Sequence, residues 1–205
     1  TQDYCAPLNV AVECERTEIV EFFLKNGARP DGCKSASDLK PIHQACRSGN
    51  KRIVELLLAH GAKINATESK GFKPIHCAAA SNNNDLILFL VNKDANINSI
   101  TKKGFTTAIT TLNGYPEGGI SFCLIDMEYQ KTNFKDRETL KLLKKLGADL
   151  GMADNAGKSP IHYAAGQHNP HALRYLIKET GHLNVVDNKG NTPLYYALKS
   201  FDLNN

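Results

Sequence analysis

Pro74-Ile75-His76-Cys77-Ala78 returns almost unchanged as Pro41-Ile42-His43-Gln44-Ala45 and as Pro160-Ile161-His162-Tyr163-Ala164. Pro7-Leu8-Asn9-Val10-Ala11 and Pro193-Leu194-Tyr195-Tyr196-Ala197 are looser copies. The prolines stand 34, 33, 86 and 33 residues apart, and 86 is two periods of 33 plus 20 extra residues. A recurring pentapeptide at a fixed period marks an array of repeated supersecondary units. In such an array each unit contacts only its neighbours, so the chain offers an extended surface rather than a pocket lined from many directions.

Residues 70–98 display the whole unit. Gly71 permits a tight turn. Pro74 suits a first helical position, and Ile75, Ala78 and Ala79 give a short helix with a small face. Ser81-Asn82-Asn83-Asn84 ends it. Asp85 is expected to cap a second helix, Leu86 to Val91, which is apolar on most sides and is therefore expected to be sandwiched between neighbours. Further second helices are expected over residues 17–26, 51–60, 137–146 and 171–179, each with a run of leucine, isoleucine, valine or phenylalanine. Gly27, Gly61, Gly147 and Gly181 follow them as left-handed caps. Asp94 takes that place in the third unit, at a cost of about 1 kcal/mol relative to glycine.

An apolar fraction of 41% and a net charge of +4 fit a folded chain and do not by themselves imply nucleic acid. No apolar stretch is long enough to cross a bilayer, and no charged-then-apolar leader opens the chain. The first unit begins within the opening residues and the last is cut part-way, so an excised segment of a longer protein is expected. Six cysteines (5, 14, 33, 46, 77 and 123) form no CxxC pair. Buried free thiols and a reducing compartment, cytoplasmic or nuclear, are the expectation.

The turn glycine, the Pro-Ile-His start and the Gly61-Ala62-Lys63-Ile64-Asn65 ending resemble the ankyrin repeat family over about residues 6–200. The resemblance implies an all-α fold: a solenoid of paired antiparallel helices with β-hairpin fingers. It places repeats near 1–33, 34–66, 67–99, 100–152 and 153–185, with a partial one at 186–205. An insert of about 113–132 falls in the fourth. It also implies that His43, His76 and His162 bond the backbone of a neighbouring unit. Proteins of this family bind others through the fingers and the concave helix face and are not catalytic as such.

Several positions depart from the pattern. Asn9 replaces the histidine of the first unit, and the finger at Ser35-Ala36-Ser37-Asp38 lacks a glycine. Thr107 and Ile109 stand where proline and histidine are expected in the fourth. The insert is either a surface insertion folded on its own unit or a dedicated partner element. Residues 120–129 are expected to form a helix, with Ile120, Cys123, Leu124, Met127 and Tyr129 along one face. His168 and His171 flank Pro170 without an accompanying carboxylate or cysteine, which makes a poor zinc site. No phosphate loop, catalytic carboxylate pair or nucleophile elbow is present, so no catalysis, cofactor or metal is expected.

The finger tips carry more information. Lys63, Lys70, Lys73, Lys102 and Lys103 outnumber Glu68 and Asp94 there, and Phe72 and Phe105 are 33 residues apart. Either this face is solvated and its aromatics brace adjacent fingers, or it is an aromatic-plus-basic patch for an acidic or amphipathic peptide. The contact candidates are Arg47, Ser48, Lys70, Phe72, Lys102, Lys103 and Phe105. The expected function is a monomeric protein-interaction module, with no nucleic acid or membrane among its partners. The alternative is a regulatory segment of a larger enzyme, channel or host-directed effector that contacts its own chain. Asn65 and Asn98 match the placement at which an asparaginyl hydroxylase modifies proteins of this family. Lys63 and Asn96 replace the acidic residue that often precedes that site.

Overall fold

The computed structural model describes residues 5–32, 39–114 and 133–199. Eleven helices occur among them: α1 Cys5–Glu13, α2 Thr17–Lys25, α3 Pro41–Ser48, α4 Lys51–Ala59, α5 Pro74–Ala80, α6 Asn84–Val91, α7 Thr107–Asn113, α8 Asn133–Lys145, α9 Pro160–Gly166, α10 Pro170–Thr180 and α11 Pro193–Lys199. The described chain divides into two compact units, one up to Asn96 and one from Ile97 onward. In the first, α1 pairs with α2, α3 with α4 and α5 with α6; first helices stack on first helices, α1 on α3 and α3 on α5. In the second, α7 pairs with α8 and α9 with α10, and α7, α9 and α11 stack in turn.

The pentapeptide acts as expected. Pro41, Pro74 and Pro160 open their helices, and the isoleucines that follow are 0–3% exposed. In the fourth pair Thr106 supplies the cap instead, its hydroxyl accepting from the Ile109 N–H at 3.2 Å. Three of the second helices, α4, α6 and α10, use asparagine caps. Asn50, Asn83 and Asn169 accept from the N–H three residues on, at 3.0–3.1 Å. The expected cap, Asp85, lies inside the first turn of α6 and is exposed. Gly27, Gly61, Gly147 and Gly181 have φ of +69° to +96°, and Asp94 has φ +65°, a strained value for a residue with a Cβ.

No strand occurs among the described residues. Each described finger is a tight turn closed by two backbone bonds. In the turn at Thr101–Phe105, Gly104 N–H donates to Thr101 O at 2.9 Å and Thr101 N–H to Phe105 O at 3.0 Å. The turns at 68–72, 154–158 and 187–191 repeat the pattern. The helix expected at 120–129 lies outside the described residues, as does most of the insert.

Candidate interaction surface

The histidines fix the turns to the helices beneath them. His43 Nε2 donates to Ala66 O at 3.0 Å and to Phe72 O at 3.1 Å, and His162 Nε2 donates to Asn191 O at 3.3 Å. On the other side of the ring, His76 Nδ1 accepts from Lys73 N–H and His162 Nδ1 from Ser159 N–H. His162 thus ties its own helix start to the following turn, and His43 bonds the backbone of the following unit as the resemblance implied. Burial pushes the His43 pKa below its usual 6.5, outweighing the two carbonyls that would favour the cation. A base whose folded pKa is depressed binds fewer protons folded than unfolded. Its contribution is full above about pH 6.5 and falls as the pH drops below that value. The wild type is therefore expected to lose more stability from about pH 7 to about pH 5 than His43→Gln does. Equal slopes in denaturant titrations would contradict this.

Acidic side chains organise the turns from inside. Glu68 is 5% exposed; its carboxylate accepts from Phe72 N–H at 2.8 Å and from Ser69 Oγ at 3.2 Å. Asp154 accepts from the N–H groups of Ala156 and Lys158, both at 2.9 Å, and from Tyr163 Oη at 2.6 Å. Asp187 accepts from Lys189 and Asn191 N–H and from Tyr196 Oη at 2.5 Å. The Tyr196 hydroxyl, with the turn N–H groups, holds the Asp187 carboxyl well below the usual range. Burial, reinforced by that carboxylate, pushes Tyr196 up to about 12, and burial with Asp154 raises Tyr163 as well. Thr101 takes the same place with a neutral oxygen, accepting from Phe105 N–H at 3.0 Å. The sequence analysis missed this role, although positions 68, 101, 154 and 187 share the register of the pentapeptides.

Adjacent turns in the second unit are bonded side to side. Asn155 donates its N–H to Lys103 O at 3.0 Å and its Nδ2 to Lys102 O at 2.9 Å. Asn188 likewise donates to Ala156 O and Asn155 O, both at 3.0 Å. Below the tips, Asn98 donates to Gly147 O at 3.0 Å and accepts from Asp149 N–H at 3.1 Å. In the first unit Asn65 spans Asp94 O and Asn96 N–H in the same way, each at 3.4 Å.

The seven contact candidates divide between the units and by accessibility. In the first, Lys70 and Ser48 are exposed, the Ser48 hydroxyl donating to Ala45 O at 3.2 Å, and Arg47 is half-buried at the end of α3. Phe72, only 2% exposed, does not belong to an outer patch. Its N–H returns to Glu68, and its ring lies edge-on to His76, with centroids 5.8 Å apart. In the second, Lys102 and Lys103 are exposed at the tip. Phe105 is also withdrawn, 8% exposed and edge-on to Tyr163 at 6.0 Å. Phe72 and Phe105, which follow turn glycines, are withdrawn and brace the turns, Lys158 and Asn191 at the same position are half-buried, and Lys70, Lys102 and Lys103 face solvent.

Cys46 and Cys77 are buried free thiols, and Cys14 is exposed. Burial pushes Cys77 up to about 12 and Cys46 well above its ordinary value, which leaves both as unreactive thiols at neutral pH. Among the described residues no three His, Cys, Asp or Glu side chains are grouped to hold a metal, and no helix is long and apolar enough to cross a membrane.

The family described as ankyrin repeats (three copies) matches residues 8–101 and 129–205. The ADP-ribosylation factor GTPase-activating protein AGD1 of Arabidopsis thaliana is 40% identical over 81 residues, 32% of this chain and 10% of that protein. A fowlpox virus protein named for its ankyrin repeats, FPV031, is 32% identical over 71 residues, 35% of this chain and 21% of that protein. The chain thus spans a tenth and about a fifth of the lengths of these curated relatives.

Proposed function

The chain belongs to the ankyrin repeat family, and from that premise we propose that it binds a partner protein or peptide through its turns and first helices and performs no chemistry itself. Ankyrin repeats generally mediate protein–protein interaction. The observation that carries the finer reading is the division of charge within the turns. Their acids, Glu68, Asp154 and Asp187, are buried under the backbone and hydrogen-bonded, while Lys70, Lys102, Lys103 and Lys189 are exposed. Within these turns the acids are withdrawn and the lysines are not, and a positively charged turn face attracts a partner of the other sign. The partner is accordingly an acidic or amphipathic segment, met in the second unit by Lys102 and Lys103 and in the first by Arg47, Ser48 and Lys70. Phe72 and Phe105 support these contacts from beneath.

Lys102→Glu with Lys103→Glu is expected to slow association with a captured partner and to weaken its salt dependence, because exposed charges act within a screening length of about 8–10 Å. Circular dichroism and melting should be unchanged. Wild-type association by this double variant would leave the lysines as solvated side chains only. A second reading has its own support: the match within AGD1 covers 10% of that protein, a short segment inside something longer. A segment of that kind would regulate its own chain, and binding in cis by the remainder of such a protein would distinguish it.

Two further expectations belong to this reading. Asn65 and Asn98 are candidates for β-hydroxylation. An enzyme would first have to open the junctions that their side chains bridge. The buried thiols suit a reducing, cytoplasmic or nuclear compartment, and the protein is proposed to act as a monomer.

A further inference from the structure

α6 is apolar on most sides, yet it buries only Leu86, Ile87 and Leu90. Leu88 is 37% exposed and Phe89 is half-buried, so the helix is not sandwiched as its composition suggested. Within their units, the second helices α2 and α4 close on one another, as do α8 and α10, whereas α4 and α6 make no comparable contact. Between them lies an open groove of about 550 Å³. Leu58, Ala62, Ile64 and Phe89 give it an apolar lining, with Glu55 and Lys93 beside them. The ammonium of Lys51 stands 5.2 Å from the centre of the Phe89 ring. Lys51 on α4 and Lys93, just past the end of α6, therefore accompany this ring, while Glu55 faces an Arg52 nitrogen 3.7 Å away on its own helix.

We propose that this groove is a second docking surface, separate from the turns, and that its occupant is a peptide segment with a large apolar side chain flanked by carboxylates. The apolar side chain would cover this lining, since a concave apolar surface of this size is what an anchor residue fills. The carboxylates would meet Lys51 and Lys93, and a basic flank would be repelled there. Lys51 and Phe89 thus supply the aromatic-plus-basic combination that the sequence suggested for Phe72 and Phe105. The inference does not depend on the reading of the turns.

The test uses a fluorescein-labelled synthetic peptide carrying a leucine–phenylalanine pair with glutamates on one side. Its controls replace the glutamates by lysines, or the apolar pair by glycines. Saturable binding is expected for the first peptide only. Lys51→Glu with Lys93→Glu should weaken it about tenfold or more, the equivalent of about 1.4 kcal/mol. Phe89→Ser should weaken it as well, while Lys102→Glu with Lys103→Glu should not. Lys51 and Lys93 are exposed, so the charge reversals leave the fold intact, which circular dichroism verifies. Absence of saturable binding, equal binding of either control peptide, or binding unaffected by the charge reversals would overturn the proposal.

Discussion

Truncating Leu57 to alanine is expected to lower folding stability by about 2–5 kcal/mol. Leu57 lies on α4, which packs on both its partner α3 and the preceding second helix α2, and its side chain is 0% exposed. Removal leaves a cavity that two neighbouring pairs must share, and helices already in contact have little room to collapse into it. Chemical denaturation followed by circular dichroism measures the loss. A value below about half a kcal/mol would mean that α4 is not part of the core.

Gly157→Ala should cost about 2–4 kcal/mol through a different mechanism. Gly157 has φ +79°, and an added Cβ would stand 2.4 Å from Asn188 Oδ1 and 2.7 Å from the Asn188 backbone nitrogen. The left-handed conformation alone costs a residue with a Cβ about 1–2 kcal/mol. Displacing Asn188 would also break its bonds to Ala156 O and Asn155 O, each contributing about 1 kcal/mol. Gly181→Ala is the matched control: its φ is +69°, but a Cβ there meets nothing within 4 Å. It should show the conformational cost alone. Equal losses in the two variants would mean that the turns are not held side to side.

The positions that were legible in the sequence are those where one residue type answers one backbone need. Pro41, Pro74 and Pro160 at helix starts, His43 and His162 bonded to carbonyls, and Asp94 at positive φ all follow from local chemistry repeated in register. Facing direction was harder to read. Phe72 and Phe105 follow exposed tips by two residues, and only the return of their N–H groups to Glu68 and Thr101 turns the rings inward. The helix caps could have been found. Asn50, Asn83 and Asn169 keep the 33- and 86-residue spacings of the pentapeptides, while Asp85 has no such counterpart at 52 or 171, which are Arg52 and His171. The apolar run of α6 was misleading because composition does not say whether a neighbouring helix arrives, and α4 does not close on it.

Charge was the other quantity that composition could not resolve. Counting residues treats Asp154 and Asp187 as equals of Lys102 and Lys103, but the former are consumed inside the turns and the latter are exposed. Stability and recognition thereby fall to different side chains on the same short loops. The acids and tyrosines hold the backbone, and the lysines can vary with the partner.

Hydrogen exchange of the chain alone and with a partner isolated by affinity capture tests the central claim most directly. The account predicts a stable protein partner whose binding slows exchange in the lysine-bearing turns, residues 101–105 foremost, with weaker protection in the Lys102→Glu, Lys103→Glu variant. Protection confined to regions away from every described turn, or undiminished in that variant, would contradict it.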